Sequence, residues 1–490
     1  MEKYINKIKE NFKIKDYKSV IKPYLYLFVI LIFCMTSIIR ADFKYIDDLG
    51  RTAEGYKGWN TFNRYTSTFL STFIHTSTYL TDISPLSQVL AVAIMALAGI
   101  IILYVYKNKK EFSFLDIVSI LPLVLSPYFL ECLSYKYDAP YIALSVLVSV
   151  IPLLFKNKHY LTYTIIIIIC TLLMCTTYQA SSGIFLMLVV LIFMKNWNME
   201  KNLKENFKFL SISILSFLIG LLVFKVFIMK PFDDYVSNQM FSFKDLIPGF
   251  FKQLYKYFSL VLSDFRKEWL FLVGIISISF LYIVVRDSKK KKYIAFPINL
   301  LFLITMAMLS FGLYPTLIKP TFNPRAMYGF GVFIALMSML IMDSRKVYFS
   351  KLGVCILSYC FIVFSFTYGN ALNVQDEYNN FRVNLVIEDL NDLEILQDNK
   401  MKYVQISGTI GQSPILKNMP QDYQMLNRLI PILFREKWPW GAYYFYNYFN
   451  LKNITPIYIE DLEKYSFTVI KDTMYHTILR NEDLIIIKLK

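Results

Sequence analysis

The segment YLYLFVILIFCMTSII, residues 24–39, carries no charged side chain, and three residues later the chain reads FKYIDDLGRTAEGYKGW, residues 43–59. The first stretch is apolar on every face, which suits a helix surrounded by lipid better than the one-sided helix of a water-soluble domain. It follows a basic amphipathic segment, and no small-residue cleavage pattern comes after it. It therefore reads as a retained span and not as a signal peptide. The second stretch puts two adjacent carboxylates, Asp47 and Asp48, and the guanidinium of Arg51 where that span meets water.

Apolar runs of about 17 to 25 residues, each long enough for a hydrocarbon layer of roughly 30 Å, recur along the 490-residue chain. About eleven are centred near residues 31, 95, 122, 148, 168, 188, 218, 276, 303, 334 and 360. With 56% hydrophobic and only 18% charged residues, and a mean hydropathy of +0.44, a soluble enzyme of this length is excluded. The expected fold is an all-α polytopic membrane protein of about eleven transmembrane helices, with a small C-terminal α/β domain.

The net charge of +16 is distributed in a way that argues against nucleic acid. Lys3, Lys7, Lys9, Lys13, Lys15, Lys18 and Lys22 crowd the N-terminus. Basic residues then return in every second loop, at 107–110, 156–158, 195–208, 289–292 and 345–351. This is the positive-inside pattern, which sets the N-terminus in the cytoplasm and the basic loops against anionic lipid. An odd number of spans places the 41–84 loop and the tail from residue 370 outside the cytoplasm. The domains read as a basic amphipathic segment over 1–23, a transmembrane module over 24–369 and an extracytoplasmic domain over 370–490. Cys34, Cys132, Cys170, Cys175, Cys355 and Cys360 lie in or beside spans and form no disulfide framework. His75, His159 and His476 are too scattered for a metal cluster.

Two outer loops carry helical apolar spacing and are expected to lie along the interface. One holds Trp59, Phe62, Phe69, Phe73 and Ile74; the other, within 231–267, holds Phe250, Phe251, Leu254, Tyr257, Phe258, Val261 and Leu262. In the tail, MKYVQISGTI, FTVIKD and EDLIIIKLK read as strands and LNRLIPILF as a short helix. The aromatic run WPWGAYYFYNYF, residues 438–449, suits either a surface resting on lipid or a sugar-stacking platform.

Ionisable residues avoid the middle of the spans and gather at their outer ends. A transporter more often carries such groups near the midplane. Asp47, Asp48, Arg51 and Arg64 follow the first span; Glu131, Lys136 and Asp138 lie in ECLSYKYDAP; Tyr178 and Gln179 lie in TTYQASS; Lys225 ends a span and Arg325 enters another. Each has an ordinary alternative: a solvated acid pair, interfacial anchors for Arg51, Arg64 and Lys136, a snorkelling Lys225, helix-end packing for Tyr178 and Gln179.

Taken together, YIDDLGRTAEGYKGW, NRYTSTFLSTF and LTDISPLSQVL between residues 45 and 90, with the later YKYDAP and TTYQASSG, resemble the bacterial glucosyltransferase II family. These are the serotype-converting O-antigen glucosyltransferases of the GT-C superfamily. The resemblance covers roughly residues 20 to 370 and fades in the tail. It implies a multi-span, inverting hexosyltransferase that draws a sugar, most simply glucose, from a polyprenyl-phosphate donor. The acceptor is a surface polysaccharide or lipid-linked glycan, met at the outer membrane face. The catalytic acid is expected in the first outer loop, where Asp47 and Asp48 stand, with Asp48 favoured for its place beside the turn at Gly50 and Arg51. One carboxylate takes the acceptor proton and cations steady the phosphate that leaves. Arg51, Arg64, Lys136, Lys225 and Arg325 are the candidates for the phosphate. Tyr56, Trp59, Tyr135, Asp138, Tyr178 and Gln179 are the candidates for holding substrate. No cofactor is required, although a divalent Mg or Mn ion bridging acid and phosphate is compatible with this chemistry. A lipid-linked glycan polymerase or ligase, or a non-enzymatic flippase of lipid-linked sugars, remains an alternative.

Overall fold

The computed structural model describes residues 18–108, 111–230, 239–344, 347–397, 400–438, 441 and 443–490. Most of the N-terminal basic segment lies outside the described residues, as do Lys109, Lys110, Arg345, Lys346 and three positions of the 438–449 aromatic run.

Each of the eleven apolar runs contains helix, because lipid offers the backbone no partner and a helix satisfies its own hydrogen bonds. Among the described residues, eight helices are long and apolar enough to cross a membrane: Val20–Ala41, Leu86–Lys107, Tyr160–Thr177, Gln179–Asn198, Leu203–Ile228, Lys267–Asp287, Lys292–Leu309 and Tyr348–Asp392. A ninth candidate is broken. Phe114–Leu125 and Pro127–Ser134 meet at 62°, because Ser126 is extended and Pro127 starts the second piece without an N–H to continue the ladder. The other two runs fall short, as Ala139–Phe155 and Gly329–Asp343. At 15 residues the latter spans roughly 22 Å. Both are sheathed by other helices: nearly every side chain from Ala139 to Val150 and from Gly329 to Met342 is buried.

Contacts sort the loops into two groups. On one side Lys107 pairs with Asp116, and with Asp343 at 3.0 Å. There too Lys156 donates to Val105 O at 3.1 Å, Lys195 to Tyr106 O at 2.6 Å, and Lys290 pairs with Glu200 at 3.1 Å. On the other side, residues 42–82 meet residues 131–138, 176–179 and Leu429, and Tyr178 meets Arg325.

The 41–84 loop forms helices Asp47–Glu54 and Tyr65–Ile74 around a short 3-10 turn, Trp59–Phe62. Phe69 and Phe73 face outward, as expected of an interfacial segment, but Trp59 does not join that stripe and is fully buried. Helix Leu246–Asp264 is apolar on two faces. Leu254, Tyr257 and Val261 pack inward, Tyr257 stacking on Phe311 at 4.8 Å, while Ile247, Phe251, Tyr255 and Leu262 stay exposed.

The boundary expected at residue 370 falls inside one 45-residue helix, Tyr348–Asp392. Its first half is lipid-compatible. Its second half buries Gln375, Asn379, Arg382, Val383, Val386 and Leu390 on one face at helical spacing, and Gln375 accepts a bond from Ser413 N at 2.9 Å. The tail packs on that face as a five-stranded sheet. The strands are β1 (Lys402–Ser407), β2 (Ile454–Pro456), β3 (Thr468–Asp472), β4 (His476–Asn481) and β5 (Leu484–Leu489), in order β2-β1-β5-β4-β3. β1 pairs parallel with β2 and β5; the β3–β4–β5 meander is antiparallel. The three strand readings and the short helix, found at Leu426–Leu429, match these elements.

Candidate active site

The two aspartates open an eight-residue helix, Asp47–Glu54. It starts from Ile46 at φ 49°, a strained conformation for a β-branched residue. It stops at Gly55, φ 68°, whose N–H bonds Arg51 O at 2.8 Å. Helical spacing puts Asp47 and Asp48 four and three residues from Arg51 on neighbouring faces, but their surroundings differ. Asp48 is fully buried; its Oδ2 accepts from Lys136 N at 2.9 Å, and its Oδ1 lies 3.9 Å from Arg51 without a hydrogen-bond partner among the described residues. Asp47 keeps part of its surface open. Burial raises the carboxyls of both above the ordinary range, Asp48 the further; Arg51 offsets and Asp138 reinforces the rise.

Asp138 is the hub opposite them. It is buried, binds the Arg51 guanidinium, accepts from Trp59 Nε1 at 2.6 Å and lies 3.9 Å from Arg64. Burial drives its carboxyl upward, but Arg51, Arg64 and the Trp59 bond together hold it below its usual value. Arg51 lies 4.7 Å over the Trp59 ring, and Arg64 4.4 Å over Tyr178 and 5.2 Å over Phe62. Arg325 bonds the buried Glu131 through its backbone N–H and, at 3.2 Å, through its guanidinium, which also donates to Tyr135 Oη. Tyr178 Oη donates to Arg325 O at 3.3 Å, and Gln179 Nε2 to Phe62 O at 3.1 Å. Four segments far apart in sequence thus converge on one polar cluster.

The candidates divide by exposure. Tyr56 and Gln179 retain open surface, and burial pushes the Tyr56 phenol up to about 12. Trp59, Tyr135, Asp138 and Tyr178, expected as substrate contacts, are buried in the supporting wall. Among the arginines, Arg51 is 4% exposed, whereas Arg64 and Arg325 keep 19% and 22% of their side chains open. Two candidate phosphate ligands are not brought into this cluster. The Lys136 ammonium is buried against Asp42 and, at 3.4 Å, Asp82; its contribution is the backbone N–H held on Asp48. Lys225 is exposed, 3.8 Å from Met240 Sδ.

Sequence reasoning gave Glu131 no role beyond an outer charge, yet it anchors Arg325. It also gave no sign of Arg428, from the tail, which bonds Asp264 and Phe322 O while Tyr128 Oη donates to Asp264 at 2.9 Å. Among the described residues no group of three or more His, Cys, Asp or Glu stands in metal-binding geometry. Asp138, Glu131 and one oxygen of Asp48 are engaged by cations and N–H groups.

The family model for Glucosyl transferase GtrII matches residues 36–336, which hold all of this cluster except the tail's Arg428. A Salmonella phage P22 protein, described as an uncharacterized 55.3 kDa protein in the gtrB 5′ region, is 24% identical over 416 residues, 81% of this chain and 84% of its own length. No solved structure matches the chain. With the family match extending over more than half its length, from the end of the first span to the tenth apolar helix, this chain belongs to the glucosyltransferase GtrII family and is a multi-pass membrane glycosyltransferase.

Proposed function

We propose that this glycosyltransferase moves a hexose, glucose most simply, from a polyprenyl-phosphate carrier to a surface glycan on the outer face of the cytoplasmic membrane, with Asp47 as the base and inversion at C1. The observation that carries the reading is the partly open Asp47 carboxylate within the electrostatic reach of Arg325 and Arg64, whose side chains both keep some open surface, at one end of an apolar helix bundle. An acceptor hydroxyl attacks C1 of the sugar, Asp47 takes its proton, and the bond from C1 to the phosphate oxygen breaks. The charge that grows on that oxygen is stabilised by Arg64 and Arg325. Arg51, tied to Asp138 and stacked on Trp59, orients the wall and tunes Asp47. Asp48 fixes the helix start through Lys136 N–H. A carboxylate with a raised pKa is the stronger base at the moment of transfer.

The outward orientation is supported by the lysine runs at 107–110 and 289–292, which lie in the other loop group. Eleven crossings are supported by the alternation of loop contacts between two sides, with the short Ala139–Phe155 and Gly329–Asp343 helices crossing inside the bundle. The test is transfer of radiolabelled glucose from polyprenyl-phosphate glucose by purified protein in detergent. Product formation that Asp47→Asn abolishes supports the reading. Lipid translocation in vesicles without any transfer sinks it in favour of a flippase.

A further inference from the structure

At the opposite end of the molecule from Asp47 lies a cavity of about 810 Å³ that the transferase chemistry does not use. This is within the size range of small-molecule and cofactor sites. Lys156, Lys158, Lys195, Lys201 and Lys208 line it, against one acid, Glu205. Its inner wall is apolar, with Ile192, Phe209 and Ile212. Two helices begin at its rim, Tyr160–Thr177 and Leu203–Val223, so their positive ends face it.

The two least exposed of these lysines hold helix ends in place. Lys156 Nζ donates to Val105 O at 3.1 Å; Lys195 Nζ donates to Tyr106 O at 2.6 Å and lies 4.3 Å over the Tyr106 ring. Lys156 has no carboxylate ion pair among the described residues. Burial first, then Lys195 and Lys201, bring its ammonium down to about 8. Two half-buried cations with three exposed ones around them are under mutual repulsion that an anion would relieve. The cavity therefore offers multiple cations for a phosphate and an apolar wall for what the phosphate is attached to.

We propose that this basic cavity binds the phosphate headgroup of an anionic lipid, with the acyl chains lying against Phe209 and Ile212. A basic pocket between transmembrane helices is the kind of place where such headgroups are held. The lipid pins the ends of helices Leu86–Lys107, Tyr160–Thr177 and Leu203–Val223 together, and this role is independent of which sugar is transferred.

The test uses the purified full-length protein, delipidated in detergent, with thermal unfolding and native mass spectrometry as readouts. Dioleoyl-phosphatidylglycerol is expected to bind and raise the unfolding temperature by several degrees; dioleoyl-phosphatidylcholine and millimolar inorganic phosphate are not. Lys156→Gln with Lys195→Gln should weaken phosphatidylglycerol binding at least tenfold. Because those lysines also hold helix ends, the exposed pair Lys158→Glu with Lys208→Glu is a second variant expected to weaken it without perturbing folding. Equal shifts with phosphatidylcholine, or phosphatidylglycerol binding that survives both variants, overturn the proposal. A shift produced by inorganic phosphate alone also overturns the lipid assignment, and makes the site one for a free phosphorylated molecule.

Discussion

Asp47 and Asp48 are adjacent in the chain and unlike in the fold, and the difference sets what each substitution does. Asp47→Asn keeps the shape and removes the proton acceptor, so transfer should fall about 10²- to 10⁴-fold while the protein is made in normal amounts. Asp48→Asn still offers an oxygen to Lys136 N–H and should lose no more than about tenfold. A radiolabel transfer assay on both variants checks the ranking; equal losses would return Asp48 to the base position. The pH dependence follows from the directions of the shifts. The proposed base Asp47 must be ionised to take a proton, and its carboxyl is raised by burial, so the acid limb of kcat/KM should lie above the ordinary Asp value of about 4. Arg51 pulls that carboxyl down, so Arg51→Gln should move the limb to still higher pH. Asp48, with a raised folded-state pKa, contributes stability that is complete below its unfolded value and is lost as pH rises through the folded one. Asp48→Asn should therefore unfold no more easily than the parent at neutral pH and differ from it least in acid. The acids and arginines were legible in the sequence, but not which acid is open. That depends on the backbone at Ile46 and on Lys136 N–H, a partner 88 residues from Asp48.

Apolar runs revealed where the helices of this chain lie, because lipid leaves a backbone few alternatives, but not how each helix ends. The break at Ser126 and Pro127 sits inside one continuous apolar run, and the helix through residue 370 outlasts its apolar half because Gln375 and Arg382 find partners in the tail. Such contacts are non-local and leave no periodic trace. Arg428 is the sharpest case. It reaches from the tail helix Leu426–Leu429 to Asp264 at the end of Leu246–Asp264, and to Phe322 O. Asp264 is buried, and with Arg428 removed it retains Tyr128 as its hydrogen-bond partner. Breaking such a pair from one side costs about 3–5 kcal/mol, and with Arg428 24% exposed the low end applies. Arg428→Ala should lower the unfolding temperature clearly, and adding Asp264→Asn to it should restore most of the loss. A double-mutant cycle by thermal unfolding measures this coupling; strictly additive losses would mean that the tail and the Leu246–Asp264 helix are held together by packing alone.

At the scale of the whole molecule, the separation of one cluster of acids and arginines from one collection of lysines defines two faces, and the path of the chain between them can be measured. The two short helices are the decisive segments. If Ala139–Phe155 crosses, positions 60 and 158 lie on opposite sides; if Gly329–Asp343 crosses, positions 319 and 474 lie on the same side, since Tyr348–Asp392 crosses as well. Cysteine substitution at the exposed Asn60, Lys158, Lys319 and Met474 and the partly exposed Lys290 reads both at once, in a background where the six native cysteines, four of them buried, have been replaced. A membrane-impermeant maleimide applied to intact cells should label positions 60, 319 and 474. Positions 158 and 290 should react only after permeabilisation. Labelling of 319 and 474 from different sides would remove Gly329–Asp343 as a crossing and turn the sheet domain away from Asp47. Labelling of 158 from outside would remove Ala139–Phe155 and put the lysine-lined cavity on the same face as the arginine cluster. A phosphate-linked donor anchored in one leaflet needs the arginines gathered where its headgroup lies. The alternation that carries Arg51, Arg64, Asp138 and Arg325 to one end of the bundle is thus a condition of the proposed chemistry, and the labelling pattern tests both together.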